Sequence, residues 1–296
     1  MNKKHITPYQ IIINLVMLLV TLCVIMPFLL LFMSSVTSEK VLISSGYSFW
    51  PKEFSLDAYK YIFQSGEKIL RAYGVSIFVT AVGTIINVFV SALMAYPLSQ
   101  KKLPGRNILM FYVFFTMLFN GGIVPSYLMW SGTFHIKDTI FAQLLPNLLV
   151  SAWNVMMMRT YFTTSIPDSL YEAAEIDGAS HYVIFQKIVL PLGKPILVTM
   201  GTFAGLAYWN DWTNGLYYVV RNDDVYNIQN LLNNMVSNIQ YLSQSSNSNM
   251  SSAMSTIPTT GVQMAIAFVA IFPIMLIFPL FSKYYSKGIT LGAVKG

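Results

Sequence analysis

The sequence predicts an all-α polytopic membrane protein with six transmembrane helices and a cytoplasmic two-helix loop. Three observations carry that expectation. Hydrophobic residues make up 55% of the 296 positions and charged residues 10%, where soluble domains carry about 25% charged. Mean hydropathy is +0.56. Apolar windows at 11–33, 73–99, 107–130, 138–158, 194–220 and 262–282 each reach the roughly 20 residues that a spanning helix needs.

The first window follows Lys3, Lys4 and His5, as in a signal peptide. Its apolar run exceeds the roughly 7–15 residues of such a segment, and no small-residue cleavage site follows, so a retained anchor is expected. Cys23, the only cysteine, lies within it, excluding an intrachain disulfide and fitting a packing role. Ser91 with Ala95, and Gly201 with Gly205, form small-xxx-small pairs that let helices approach closely in lipid. Gly121-Gly122, followed by Pro125, are expected to break the third window near its outer half. Pro125, Pro146, Pro195, Pro273 and Pro279 are expected to kink or end helices. The stretch 221–261 reads as an outer loop, with an Asn/Gln/Ser-rich run between Gln240 and Ser255 of solvated, mobile composition.

Orientation follows from basic residues beside the spans. With the amino end inside, that side holds 11 of the 18: Lys3, Lys4, Lys101, Lys102, Arg106, Arg159, Lys187, Lys194, Lys283, Lys287 and Lys295. The net charge of +6 is spread over loop ends without a cluster interleaved with aromatics, so anionic lipid accounts for it and nucleic acid is not expected as a partner.

Between the fourth and fifth windows the pattern changes. Pro167 suits a first helical turn, Asp168 suits the positive helix end, and Asp177-Gly178 supply a stop, predicting a short helix over 167–177. Ser180 can cap a second helix whose apolar face is Tyr182, Ile184, Phe185, Ile188 and Val189, ending at Leu190-Pro191. Glu172-Ala173-Ala174, three residues, Gly178, nine residues, Ile188, one residue and Leu190-Pro191 together resemble the EAA loop of ABC-importer permeases. Further stretches extend the likeness over about 50–296. Trp50-Pro51, Phe54-Ser55-Leu56 and Tyr59 resemble the segment before the core of carbohydrate-type permeases. Tyr208-Trp209-Asn210-Asp211-Trp212 and the ending 287–296 resemble the maltose-type, MalG-like branch, in the subgroup importing oligosaccharides from complex polysaccharides.

The resemblance implies a heteromeric importer: this subunit, a second homologous permease, two ATP-binding subunits and an extracytoplasmic solute-binding protein. It implies ATPase coupling through Glu172, Ala173, Ala174, Asp177, Gly178, Leu190 and Pro191 in a cytoplasmic loop over 160–191, and alternating access as the mechanism. The implied organisation is 1–70 for the amino-terminal tail, first helix and first outer loop, 71–282 for the core and 283–296 for a cytoplasmic tail. The implied site is a bacterial cell membrane with both termini cytoplasmic.

No cofactor is expected on this chain. No G-x-x-x-x-G-K-[ST] loop is present, and proline follows Gly193-Lys194, so ATP and Mg fall to partner subunits and the chain is not itself an enzyme. His5, His135 and His181 are dispersed, with no H-E-x-x-H pattern, and no metal site is expected.

Sugars pair their hydroxyls with polar groups and cover their apolar faces with aromatic rings. Residues of that chemistry at plausible depth are Asn120, Asn147, Trp153, Asn154, Trp209, Asn210, Asp211, Trp212 and Asn214. Each asparagine could equally join helices, and each tryptophan could sit at an interface. Asp211 could equally stand at the outer end of its helix. An ion-coupled secondary transporter of a small polar solute is the alternative. It calls for ionisable groups inside spans or a repeated pair of interrupted helices, and only Asp211 is an acidic candidate.

Overall fold

A computed structural model describes residues 8–64, 66–244 and 259–293. Its helices are α1 (Pro8–Ser35), α2 (Glu39–Ser45), α3 (Asp57–Gln64), α4 (Gly66–Ser99), α5 (Arg106–Leu118) and α6 (Ile123–Tyr127), the last continued by a wider π turn over Leu128–Thr133. Then follow α7 (Phe141–Leu144), α8 (Ala152–Ser165), α9 (Asp168–Ile176), α10 (His181–Leu192), α11 (Lys194–Asn210), α12 (Thr213–Tyr218), α13 (Ile228–Gln244) and α14 (Thr259–Ala293). The chain forms two compact units: residues 1–67 with 232–273, and residues 68–231 with 274–296.

In the first unit α1 is 28 residues of high hydropathy without buried apolar side chains, about 42 Å long at 1.5 Å per residue. A backbone bridge between Thr37 and Phe54 closes the excursion that follows it, with Ser38 N–H donating to Glu53 O at 3.0 Å and Ser55 N–H donating to Val36 O at 2.9 Å. The Glu39 carboxylate accepts from Thr260 N–H at 2.9 Å and Gly261 N–H at 2.8 Å. These are unpaired amides in the first turn of α14, where negative charge also suits the helix dipole.

In the second unit α4 is the long member, and its small residues Ala92 and Ala95 are fully buried in a core with Met158, Phe162, Ile184 and Val189. Tyr208 of α11 lies flat over Gly83 of α4 and donates its hydroxyl to Leu144 O at 2.9 Å. No side chain larger than hydrogen fits beneath that ring.

Among the described residues, α1 and α4 are long and apolar enough to cross a membrane. Two bent pairs add up to two more, α5 with Ile123–Thr133 at 109°, and α10 with α11 at 79°. The expected windows therefore differ from the helices in definite places. The third is interrupted at Gly121-Gly122, as expected, with Gly122 in a left-handed conformation (φ 88°).

The fourth, 138–158, is not one helix. Pro146, without an N–H, and Asn147, at φ 60°, separate α7 from α8, which continues to Ser165. The fifth breaks at Asp211 and Trp212. In the loop, α10 does not end at Leu190-Pro191 but runs to Leu192, because a wider π turn over Phe185–Val189 precedes the proline. The stretch 221–261 is not a plain loop. Residues 228–244 form the amphipathic α13, with Ile228, Leu232 and Ile239 buried, whereas most of the Asn/Gln/Ser-rich run lies outside the described residues. Lys3, Lys4 and His5 lie outside them too.

Gly83→Ala would place a methyl 2.4 Å from the Tyr208 ring. Overpacking of that kind costs about 1–3 kcal/mol, so a lower Tm of the detergent-purified protein is expected. A Tm equal to the parent's would mean that the ring can retreat without leaving Leu144.

Candidate functional site: the loop helix and a polar cavity

Two places gather the sequence-predicted residues. The first is α9 and its turn. Asp177 closes α9, and Gly178 follows at φ 76°, a conformation that side chains with a Cβ resist. Ala179 N–H donates to Ala174 O at 2.9 Å and Gly178 N–H to Glu175 O at 3.1 Å, the paired bonds of a Schellman stop. Ser180 Oγ accepts from Val183 N–H at 3.4 Å to start α10. The turn from α9 to α10 is thus formed by Asp177, Gly178 and Ser180.

Helix α9 turns Tyr171 into the core and Ala174 against it. Glu172 and Ala173 face outward, and Ile176 is 85% exposed. The outward face thus sets an alanine and an isoleucine beside the Glu172 carboxylate. Leu190 packs beside the core and Pro191 is exposed.

Two lysines of the α4–α5 turn grip α9 at its ends. Lys101 Nζ donates to Asp168 at 2.6 Å and Lys102 Nζ to Glu175 at 2.9 Å. The hydrogen bond from Lys102 to Glu175 holds its ammonium above the usual lysine range. Burial pushes the Tyr171 hydroxyl up to about 12, with the Tyr96 hydroxyl adding to the effect. That hydroxyl lies near Ser99 and Gln100 but meets neither at hydrogen-bonding geometry.

The second place is a cavity of about 250 Å³ bordered by α4, α8, α11 and the stretch between α7 and α8. It brings together Asn147, Trp153 and Asn154 of the expected set and adds Asn87, Ser151 and Tyr208. Asn154, 4% exposed, donates to Asn87 Oδ1 at 2.8 Å, and Asn87 donates to Leu148 O at 2.7 Å. Asn147 is exposed and Trp153 is 51% exposed. The cavity therefore offers amides, a hydroxyl and one open indole face, a set suited to a hydroxyl-rich solute.

The other candidates stand elsewhere. Asn120 accepts from Gly122 N–H at 2.8 Å at the break before α6. Trp209, 7% exposed, borders a separate apolar groove of about 440 Å³ beside Thr80, Thr84, Gly201 and Gly205. Asn210 is exposed and donates to Leu206 O of its own helix at 2.9 Å. Asp211 caps α12, its Oδ1 accepting from Thr213 N–H at 3.1 Å and Thr213 Oγ1–H at 2.6 Å. Trp212 is 45% exposed, and Asn214, buried, donates to Pro146 O at 2.9 Å. Sequence reasoning missed Asn87, a single amide inside an apolar window, and the buried Gln143, Asn227 and Asn230. It also missed Tyr171, although that residue sits directly before the motif's glutamate.

A family described as binding-protein-dependent transport system inner membrane component matches residues 86–291. The polygalacturonan/rhamnogalacturonan transport system permease protein YtcP of Bacillus subtilis is 38% identical, over 95% of this chain and 96% of that one. Protein LplC of the same organism is 36% identical, over 92% and 90%. A crystal structure of a bacterial ABC transporter involved in the import of the acidic polysaccharide alginate contains a chain similar to this one. The match has a TM-score of 0.77 and 25% identity, covering 96% of this chain and 99% of that chain.

Asn87→Leu removes both the donor to Leu148 O and the acceptor for Asn154. Leaving a buried polar partner unmet costs about 1–3 kcal/mol, so this variant should melt well below the parent. Asn210→Leu, at an exposed amide, should not. Equal melting of the two variants would argue against a structural amide chain at the cavity.

Proposed function

The chain belongs to the family of binding-protein-dependent transport system inner membrane components, and we propose that it is the permease subunit of an ATP-driven importer of oligosaccharides. The observation that carries this reading is α9. It is a nine-residue helix held at both ends, wedged by Tyr171, and presenting Glu172, Ala173 and Ile176 outward. A face of that shape suits insertion into a cleft on an ATP-binding subunit. The small Ala173 allows close approach, the glutamate meets a basic group, and Gly178 returns the chain. Similarity to sugar permeases supports a carbohydrate cargo and speaks for this reading over an ion-coupled secondary transporter.

The proposed assembly adds a second, homologous permease, two ATP-binding subunits carrying ATP and Mg, and an extracytoplasmic solute-binding protein. The proposed site is a bacterial cell membrane, crossed six times counting broken spans, with both termini and the 160–191 loop cytoplasmic. The cavity at Asn87, Asn147, Ser151, Trp153 and Asn154 is the proposed part of the sugar path in this subunit. Amides pair hydroxyls there, and Trp153 covers a sugar face. Asn120, Trp209, Asn210, Asp211, Trp212 and Asn214 have less claim to that path, since their bonds serve helix ends or other surfaces. Closure of the ATP-binding pair opens the path outward as the binding protein releases its cargo, and separation reopens it inward.

Affinity purification of the tagged chain from its native membranes in gentle detergent tests the assembly. Recovery with a P-loop ATPase and a second permease is expected, and repeated recovery of the folded chain alone would sink the importer. Glu172→Lys should leave the chain in the membrane while the ATP-binding subunits fail to co-purify and uptake falls. Normal uptake by that variant removes the role assigned to Glu172. Gly178→Val places a β-branched residue at φ 76°, where it is strained by about 1–3 kcal/mol. Weaker retention of the ATP-binding subunits is expected, and unchanged retention together with normal uptake counts against the elbow.

A further inference from the structure

Resting on the coupling reading above, we propose that the aromatic contact between Tyr171 and Tyr96 transmits the motion of α9 to α4, and through α4 to Asn87 at the cavity. Tyr171 and Tyr96 are therefore positioning residues for transport. Tyr171 is 6% exposed, Tyr96 8% and Phe185 3%. Tyr96 has its ring centroid 6.4 Å from that of Tyr171 and 5.6 Å from that of Phe185, and its hydroxyl lies 3.4 Å from His181 Nδ1. One side chain at the end of α4 is thus enclosed by α9 and both halves of the start of α10.

Relative strengths decide what carries load. The Lys101–Asp168 and Lys102–Glu175 pairs are exposed, and exposed pairs contribute little because water screens them. They orient α9 and hold it less firmly than buried groups do. A buried aromatic ring is held by its own burial, and ring pairing adds to that. The wedge is the stronger tie.

Helix α4 then leads straight to the cavity. Asn87 lies nine residues before Tyr96 in the same helix, about 13.5 Å along its axis. At that level Asn87 is hydrogen-bonded to Asn154 of α8 and to Leu148 O. A displacement of α4 changes those partners directly. The ring of Tyr171, rather than its hydroxyl, carries the effect, because the hydroxyl makes no hydrogen bond.

The test uses the assembled complex in lipid nanodiscs with Cys23→Ser and a reporter, Ser151→Cys, in the cavity. A small cationic methanethiosulfonate reagent reads the reporter's accessibility with and without ATP plus vanadate. The reporter parent should change its modification rate with nucleotide. Tyr171→Phe should keep that change, while Tyr171→Ala and Tyr96→Ala should lose it with the ATP-binding subunits still attached and hydrolysing ATP. A parent-like response in both alanine variants overturns the inference. So does loss of the ATP-binding subunits from both, since the contact would then shape the docking surface instead of carrying its motion. Failure of the parent itself to respond, or full activity of Glu172→Lys, would bring down the coupling reading on which the inference rests.

Discussion

The organising constraint is that a backbone interrupted between apolar helices must find its hydrogen bonds within the protein. This chain interrupts its helices repeatedly and meets the constraint with amide and carboxylate side chains. At the break before α6, Asn120 accepts from Gly122 N–H. Between α7 and α8, the carbonyls of Pro146 and Leu148 receive Asn214 and Asn87. At the α11–α12 break, Asp211 Oδ1 accepts from Thr213 N–H, while Asp211 O and Trp212 O receive the amides of Asn227 and Asn230. Gln143 closes the set by accepting from Asn227 and donating to Asn230 Oδ1. Buried amides that would be costly if unpaired here hold open the non-helical backbone that shapes a cavity.

The same accounting separates the two sites. At the cavity, Asn87 and Asn154 are enclosed and committed to directional bonds within the fold, while Asn147 is exposed. At α9, the polar groups are exposed and weak, and burial is concentrated in the aromatic side chains of Tyr171, Tyr96 and Phe185. On the proposed reading, one site recognises chemistry and the other bears a surface whose shape moves as a unit.

What the sequence made legible follows from the range of the forces involved. The α9 elbow could be read because its determinants are local: Asp177, Gly178 and Ser180 act on backbone groups within five residues. The membrane class was readable because composition sums over the whole chain. The breaks at Pro146-Asn147 and Asp211-Trp212 were concealed because a hydropathy window averages across them. Their repair also depends on partners up to 68 residues away, as in Asn214 to Pro146 O. The helix at 228–244 was hidden by its many asparagines, which favour loops locally; of these Asn230 is buried, bonded to Gln143 and to Trp212 O. Of the asparagines singled out for being polar in an apolar chain, Asn120, Asn154, Asn210 and Asn214 each bond within the fold.

The border of the cavity holds amides, a serine, a tyrosine, an indole and aliphatic groups, with no carboxylate, ammonium or guanidinium among its lining residues. Such a wall offers no opposite charge to what passes. On the proposed path, a uronic sugar would find no ion pair here to offset its desolvation, and selection in favour of acidic cargo would fall to the protein that delivers it. A change of diet could then be met by exchanging that delivering protein while this gate stays as it is.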